Sequence, residues 1–131
     1  LVGPKVLLIN KYSASDGDLF PWSFKANKIG KVIGTRTWGG IVGISGPLPY
    51  MDGTDVRVPF FTNYDAKTGQ WIVENHGVDP DILIDNDPVK EQSGEDQQLN
   101  KAIEVILQEL KDRKPLPSVP APRTYKDLGV E

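Results

Sequence analysis

The segment at residues 12–18, with the sequence YSASDGD, carries residue types that suit an oxygen nucleophile. It follows the apolar run at residues 6–9 and precedes a segment with helical character. A turn of small residues between a strand and a helix lifts one side chain above the sheet edge, where α/β enzymes often mount a nucleophile. Free N–H groups at the helix start favour the negative charge that develops on an attacked carbonyl. Ser15 is therefore a candidate nucleophile, and Ser13, farther from the helix start, is its rival.

Ser15 also fits a structural role that involves no chemistry. Together with Asp18, three residues later, it approximates a capping box in which Asp replaces the usual Glu or Gln. Such a cap contributes about 1 kcal/mol to stability. Local sequence favours this simpler interpretation, but the two roles are not exclusive.

A second polar segment lies at residues 74–81, with the sequence ENHGVDPD. The carboxylate of Glu74, at the end of a predicted strand, is a candidate for orienting a base or binding substrate; the alternative is a plain polar strand end. His76 is a candidate general base because it lies two residues from Glu74. Residues i and i+2 of a strand share a face without reaching one nucleophile unaided, so we expect His76 to be a solvated turn residue.

A third candidate is the pair Gly39 and Gly40, which follows Trp38. Two glycines let a ligand approach the backbone closely, which makes both candidate substrate-binding residues. The alternative is a tight turn that places Trp38 in the core. We expect no metal and no cofactor, since the aspartates between Asp52 and Asp87 lack the regular spacing of a calcium loop.

Composition narrows the classes of protein. The chain has 131 residues, of which 38% are hydrophobic and 25% charged, which suits one domain of ordinary size or a large part of one. A net charge of −3 gives no electrostatic reason to expect nucleic acid or an anionic membrane as partner. The absence of cysteine excludes disulfides, thiolate metal sites and a cysteine nucleophile, and a single histidine excludes a multi-histidine metal site. No apolar run approaches the roughly 18 residues of a membrane-spanning helix.

The elements that would position these residues follow from hydrophobic periodicity. The apolar run at residues 5–9 predicts a strand of a parallel sheet covered on both faces. Residues 16–28 predict a helix with Pro21 in its first turns. A second strand at residues 31–34 completes a β-α-β unit. The helix residues expected to face the core are Phe20, Phe24 and Ile29.

The middle of the chain is less regular. Residues 36–46 contain four glycines and predict a loop or an irregular strand. Two β-rich segments at residues 55–62 and 70–74 predict a hairpin around the turn at residues 63–69. A short strand is expected at residues 82–84.

The C-terminal third divides into a loop, a helix and a tail. Residues 86–95 are polar and predict a surface loop, whereas residues 97–112 have apolar side chains at helical spacing. Closely spaced prolines beyond residue 114 predict an extended tail. We therefore expect a folded domain portion at residues 1–113 and a Pro-rich extended tail at residues 114–131.

Three of these segments, in this order, resemble motifs of the tricorn protease family, serine peptidases related to the C-terminal processing proteases. Residues 6–18 resemble the nucleophile segment, and the matches continue with residues 34–40 (GTRTWGG) and residues 74–81. The helix at residues 97–112 is similar to the long helix that ends the family's catalytic domain. The resemblance covers nearly the whole chain up to about Lys114.

This resemblance implies an α/β fold with a crotonase-like core of stacked β-β-α units. It implies that Ser15 is the nucleophile and that the N–H of Asp16 is one donor of the oxyanion hole. It also implies that Glu74 belongs to a Ser-His-Ser-Glu tetrad, in which the glutamate helps to orient the histidine through the second serine.

In that family the base histidine, the second serine and the other oxyanion donor precede the nucleophile strand. We therefore expect this chain to be the C-terminal part of a catalytic domain, with the rest of the same polypeptide as its partner, and to be inactive alone. The resemblance further implies peptide substrates, a homo-oligomer and a cytoplasmic location; an exported or periplasmic location stays open.

Two other classes of function remain open at this point. One is a crotonase-like enzyme of other acyl chemistry, such as thioester chemistry, which needs no serine nucleophile. The other is a non-catalytic peptide-binding scaffold, in which Ser15 only caps a helix.

Overall fold

The computed structural model describes residues 2–44, 46, 48–115 and 118–129, and it mixes helices with short strands. In chain order the elements are β1 (Val6–Ile9), α1 (Asp16–Ala26), β2 (Lys31–Gly34), β3 (Gly43–Ile44), β4 (Leu48–Pro49), β5 (Asp55–Val56), β6 (Pro59–Phe61), β7 (Tyr64–Asp65), β8 (Gln70–Trp71), β9 (Ile82–Leu83), α2 (Pro88–Gln92) and α3 (Gln97–Lys111). A 3₁₀ turn follows at Lys126–Leu128.

A three-stranded parallel sheet in the order β1-β2-β9 carries the elements of the site. Parallel strands usually have continuous apolar sequences because both faces of the sheet are covered. Here the cover predicted for both faces is incomplete, since Leu8 of β1 is 39% exposed and Leu83 of β9 is 75% exposed. Val32 and Ile33, neighbours on β2, are both fully buried and point to opposite faces. The predicted β-α-β unit and the parallel strand at the start of the chain are confirmed.

The helices α1 and α3 both pack against β1 and β2. Phe24 of α1 forms one core cluster with Ile9 and Val32 of the sheet. Ile33 is buried on the opposite face, so β2 is covered there, whereas its register partner Leu8 of β1 is partly exposed. The helix predicted at residues 97–112 is confirmed as α3, which starts after the N-cap Asp96.

A second core cluster joins α1 to the loops beyond the sheet. Ile41, Ile72, Val73 and Val78 are buried together, and Leu19 and Trp22 of α1 pack against them. Because Leu19 lies in the first turns of α1, this cluster fixes the start of the helix relative to those loops.

Two of the predicted core positions of α1 are wrong. Phe20 is 59% exposed and Ile29 is 45% exposed, while Phe24 is buried as expected. The helix ends at Ala26, earlier than predicted, and Lys28 turns the chain with a φ of 51°. The chain therefore leaves the helix axis before Ile29 can continue its apolar face.

A hairpin forms around the predicted turn, but its first strand is not the predicted segment at residues 55–62. β5 pairs with β4 and β6 pairs with β3, so the hairpin contains only β7 and β8. Pro59 opens β6 and has no N–H to donate, which breaks the predicted strand in two. Asn63 then lies between separate strands instead of in the turn.

The loop predicted at residues 86–95 contains the short helix α2. Asp87 caps it by accepting a hydrogen bond from Val89 N–H at 2.8 Å, and Pro88 occupies its first turn. Of the predicted tail, residues 116, 117, 130 and 131 lie outside the described residues. In the described part of the chain, no helix combines the length and the apolarity that crossing a membrane requires.

We expect Ile33→Ala to lower the free energy of unfolding by about 2–5 kcal/mol, because it leaves a cavity between the sheet and its cover. The matched control is Ile29→Ala, which removes the same atoms from a half-exposed position and should cost no more than about 1 kcal/mol. Urea unfolding of both variants measures the difference. Equal losses would contradict the burial of β2.

Asp81 ties the sheet to α1 and gives a prediction in pH. Its carboxylate accepts a hydrogen bond from Val32 N–H at 2.8 Å and lies 3.1 Å from Lys25 Nζ. Burial raises the pKa of Asp81, but the Val32 hydrogen bond and the Lys25 charge outweigh it and hold the pKa below its ordinary value. A lowered pKa stabilises the fold above the unfolded-state pKa, and this contribution is lost as pH falls through the folded-state pKa.

Asp81→Asn should therefore destabilise the chain by about 0.5–1.5 kcal/mol at pH 7, and the difference from wild type should vanish under acid conditions. Urea unfolding as a function of pH measures it. Glu104→Gln, in the exposed pair with Lys101, is the control with the smaller effect. A difference that grows on acidification would refute the assigned role of Asp81.

Candidate active site

The connection between β1 and α1 places Ser15 at a strained turn. Ser15 is the N-cap of α1, has φ 57° and ψ −112°, and is exposed. A non-glycine residue in this region costs about 1–3 kcal/mol and persists only where its surroundings hold it. A sharp, strained strand-to-helix turn with an exposed serine is the geometry of a nucleophile elbow.

Backbone hydrogen bonds hold this turn against the segment after β2. Trp38 N–H donates to the carbonyl of Ser13 at 2.9 Å, and Ser15 N–H donates to the carbonyl of Gly40 at 3.2 Å. The hydroxyl of Ser13 accepts a hydrogen bond from Asn10 N–H at 3.2 Å. Ser13 therefore acts within the turn, whereas Ser15 stands at its exposed corner.

Asp18, which the sequence analysis considered only as part of a cap, is fully buried beneath this corner. Its carboxylate accepts hydrogen bonds from the N–H groups of Ser15 at 3.0 Å, Gly39 at 2.9 Å and Gly40 at 3.2 Å. The bond to Ser15 N–H is the one that a capping box predicts, so this part of the capping interpretation holds. The contacts to the glycines had no signal in the sequence.

Glu74 lies in a turn and not at the end of a strand as predicted, since β8 ends at Trp71. Its neighbours Val73 and Asn75 have φ values of 65° and 62°, so the chain reverses sharply around it. Glu74 Oε2 accepts hydrogen bonds from the N–H groups of Ile41 at 2.7 Å and Val42 at 2.9 Å. These bonds hold the half-buried carboxylate against the segment that follows Gly40.

Ser15, Asp16 and Glu74 line one cleft of about 480 Å³. Within the described residues, no acceptor takes a hydrogen bond from the N–H of Asp16. The remaining lining is mostly apolar and includes Leu19, Ile41, Ile44 and Phe61. The cleft thus combines an exposed hydroxyl, a free N–H at a helix N-terminus and a carboxylate, which are groups that acyl transfer uses.

The two glycines differ in their relation to this cleft. Gly40 lines it, whereas Gly39 does not. The N–H groups of both glycines donate to Asp18. The carbonyl of Gly39 accepts from Asn75 N–H, and the carbonyl of Gly40 accepts from Ser15 N–H. The backbone N–H and carbonyl of Gly40 are thus already hydrogen-bonded within the chain. Contact of substrate with either glycine stays a prediction.

Trp38 is 65% exposed, so the alternative that places it in the core is wrong. Its ring packs against Gly40, where a Cβ atom would overlap the indole. Trp38 lines the Ser15 cleft on one side and a second groove on the other.

His76 lies in that second groove and does not line the Ser15 cleft. Its ring is 59% exposed, and Nε2 lies 2.8 Å from Asp79 Oδ2. This placement agrees with the expectation that His76 is a solvated turn residue. His76 is therefore not positioned to act as a base for Ser15. Within residues 2–44, 46, 48–115 and 118–129, no three His, Cys, Asp or Glu side chains are grouped to hold a metal ion.

The structure combines helices with a parallel sheet and places an exposed serine at a strained turn between strand and helix. Comparison with known proteins agrees with a peptidase domain of this kind. Residues 2–84 match the model of peptidase family S41, so the chain belongs to that family.

Curated relatives are tricorn proteases. The tricorn protease of Thermoplasma volcanium is 45% identical over 112 residues, which are 86% of this chain and 11% of the relative. That of Thermoplasma acidophilum is 42% identical over 120 residues, 91% of this chain and 11% of the relative. Tricorn protease homolog 1 of Streptomyces coelicolor is 42% identical over 90% of this chain and 11% of its own length. The chain thus spans about a ninth of these relatives, or 11%.

Solved structures show the same relationship. A crystal structure of the tricorn protease matches with a TM-score of 0.76 and 44% identity over 83% of this chain and 11% of that chain. Mature CPAF complexed with lactacystin matches with a TM-score of 0.62 and 24% identity over 84% of this chain and 21% of that chain. At the latter identity the likeness concerns the fold alone.

Gly39→Ala should destabilise the chain by about 3 kcal/mol or more, because φ is +88° and a Cβ would press on the backbone of His76 and Gly77. Gly69→Ala is the matched control: φ is +69°, but the Cβ would meet open space, so only the backbone cost of about 1–2 kcal/mol remains. Urea unfolding of both variants gives the comparison. If Gly39→Ala costs no more than the control, the close approach of the two loops is not as described.

Proposed function

We propose that this chain carries the nucleophile of a serine endopeptidase, which hydrolyses peptides through an acyl-enzyme. The observation that carries the proposal is the strained, exposed Ser15 at the start of α1, in one cleft with the N–H of Asp16 and the carboxylate of Glu74. Membership of peptidase family S41 and the tricorn protease relatives support it. The runner-up interpretations, thioester chemistry and a peptide-binding scaffold, lack a comparable observation.

In the proposed reaction, Ser15 Oγ attacks the carbonyl carbon of the scissile peptide bond while a histidine base takes its proton. The oxygen of the tetrahedral intermediate lies at the N-terminus of α1, where the N–H of Asp16 donates to it. The C–N bond then breaks, and the proton passes to the leaving amine. Water hydrolyses the ester and restores the hydroxyl of Ser15.

Glu74 has a supporting role in this proposal. Its Oε2 atom is held by the N–H groups of Ile41 and Val42, and no hydrogen bond to Oε1 occurs among the described residues. Oε1 is thus left to accept a hydrogen bond from the second serine of the tetrad, which orients the histidine.

The base comes from the rest of the polypeptide. The single histidine of these 131 residues, His76, pairs with Asp79 outside the cleft. We therefore place the base histidine, the second serine and the other oxyanion donor in upstream segments. These segments complete a crotonase-like core of β-β-α units, and the whole protein is a cytoplasmic homo-oligomer.

Ser15→Ala in the full-length protein should lower peptide turnover by about 10⁴-fold or more, because members of a catalytic unit fail together. Ser13→Ala is the matched control and should keep most of the activity, since its hydroxyl serves the turn. Hydrolysis of a fluorogenic peptide library measures both. Equal activity of Ser15→Ala and wild type would leave Ser15 as a helix cap and favour the scaffold interpretation.

The isolated chain of residues 1–131 should not turn over the same peptides, because it offers Ser15 no base. Turnover by this chain that Ser15→Ala abolishes would contradict the placement of the base in upstream segments.

A further inference from the structure

We infer that Asp18 is a positioning residue for the nucleophile: its carboxylate holds the backbone of Ser15 in the reactive conformation and sets the spacing between Ser15 and Glu74. This inference rests on the proposed function. Asp18 is not placed to touch substrate, since it is fully buried and does not line the cleft. Its effect on the reaction would pass through the residues that it binds.

The first support is the set of donors. Asp18 Oδ2 accepts from the N–H of Ser15 at 3.0 Å and of Gly40 at 3.2 Å, and Oδ1 accepts from the N–H of Gly39 at 2.9 Å. One side chain thus binds the backbone of Ser15 and that of the facing segment at Gly39 and Gly40. Such bidentate, charge-assisted contacts are strong and specific in geometry.

The second support is the burial of this carboxylate. Among the described residues no cation pairs with Asp18, so backbone N–H groups and the N-terminus of α1 balance its charge. A buried carboxylate gives up its bonds only at high cost, so its donors are held firmly. A simple helix cap could instead be exposed and would need one donor.

The third support is the strain at Ser15. A residue with φ 57° and ψ −112° relaxes when its surroundings release it. The N–H of Ser15 has a second acceptor, the carbonyl of Gly40 at 3.2 Å, but Asp18 also anchors the N–H of Gly40 itself. Loss of Asp18 would therefore loosen both sides of the turn and let Ser15 move toward an ordinary N-cap conformation.

The fourth support links Asp18 to Glu74. Along residues 39–42, the first two N–H groups donate to Asp18 and the next two donate to Glu74. This short segment therefore connects the carboxylate beneath the nucleophile to the carboxylate of the cleft. A shift at Gly39 and Gly40 would pass directly to the position of Glu74.

The test is Asp18→Asn in the full-length protein. Asparagine keeps the shape but presents an NH₂ group to N–H donors, so part of the three-donor set is lost. A displacement of the reacting group by about 1 Å costs about 100-fold in rate. In labelling by a fluorophosphonate, the Ser15 Oγ–P bond forms, fluoride leaves and the hydroxyl proton passes to the base. We expect the second-order rate of this labelling to fall about 10- to 100-fold.

The matched control is Thr37→Val. Thr37 is also buried, and its hydroxyl accepts a hydrogen bond from Val78 N–H at 2.7 Å, but among the described residues it forms no hydrogen bond with Ser15. We expect this variant to lose thermal stability and to label at the wild-type rate well below its melting temperature. With a peptide substrate, Asp18→Asn should lower kcat and leave KM within about 2-fold, because the loss falls on the transition state.

Labelling of folded Asp18→Asn at the wild-type rate would overturn the inference. If Asp18→Asn does not fold, Asp18→Glu keeps the charge and displaces the carboxylate by one methylene group; labelling of folded Asp18→Glu at the wild-type rate would overturn it equally. The proposed function fails separately, when wild type is not labelled or Ser15→Ala is labelled as fast as wild type.

Discussion

The site depends on two carboxylates that bind one short stretch of backbone. The N–H groups of Gly39 and Gly40 donate to Asp18, and those of Ile41 and Val42 donate to Glu74. Free N–H groups in a semi-buried loop are costly, and charged oxygens are the acceptors that satisfy them best. The same bonds keep each carboxylate in place. The conformation of residues 39–42 and the positions of the Asp18 and Glu74 carboxylates therefore depend on each other.

Packing supports this arrangement from below. Leu19 and Trp22 of α1 contact the cluster of Ile41, Ile72, Val73 and Val78, so the start of the helix is fixed against the loops that carry Glu74. On the other side of α1, Phe24 packs on the parallel sheet. The helix α1 is thus packed between the sheet and the loops, so the position of Ser15 at its N-terminus is fixed. A side chain on a rigid element is more precisely placed than one on a free loop, which supports the role proposed for Ser15.

Prediction from sequence succeeded where one local pattern decides the structure. The strand β1, the β-α-β unit and the helix α3 were foreseen, because a continuous or periodic apolar pattern favours one type of element. In α3 the pattern predicted the helix but not its burial, since Leu99, Ile103 and Leu107 are 46–55% exposed. Prediction failed for the strands between residues 48 and 71, whose pairing joins segments that no local signal connects. It also failed for Phe20 and Ile29, whose exposure depends on where α1 ends and what lies beside it.

Sequence alone determined that a serine follows an apolar strand at the start of a helix, and which segments resemble the motifs of a peptidase family. Only the tertiary structure decided that Ser15 takes a strained conformation, that Glu74 shares its cleft and that His76 does not. It alone revealed the three donors of Asp18. The reason is physical: residues 15 and 74 are distant along the chain, and hydrogen bonds between distant segments exist only after both have packed on a common core.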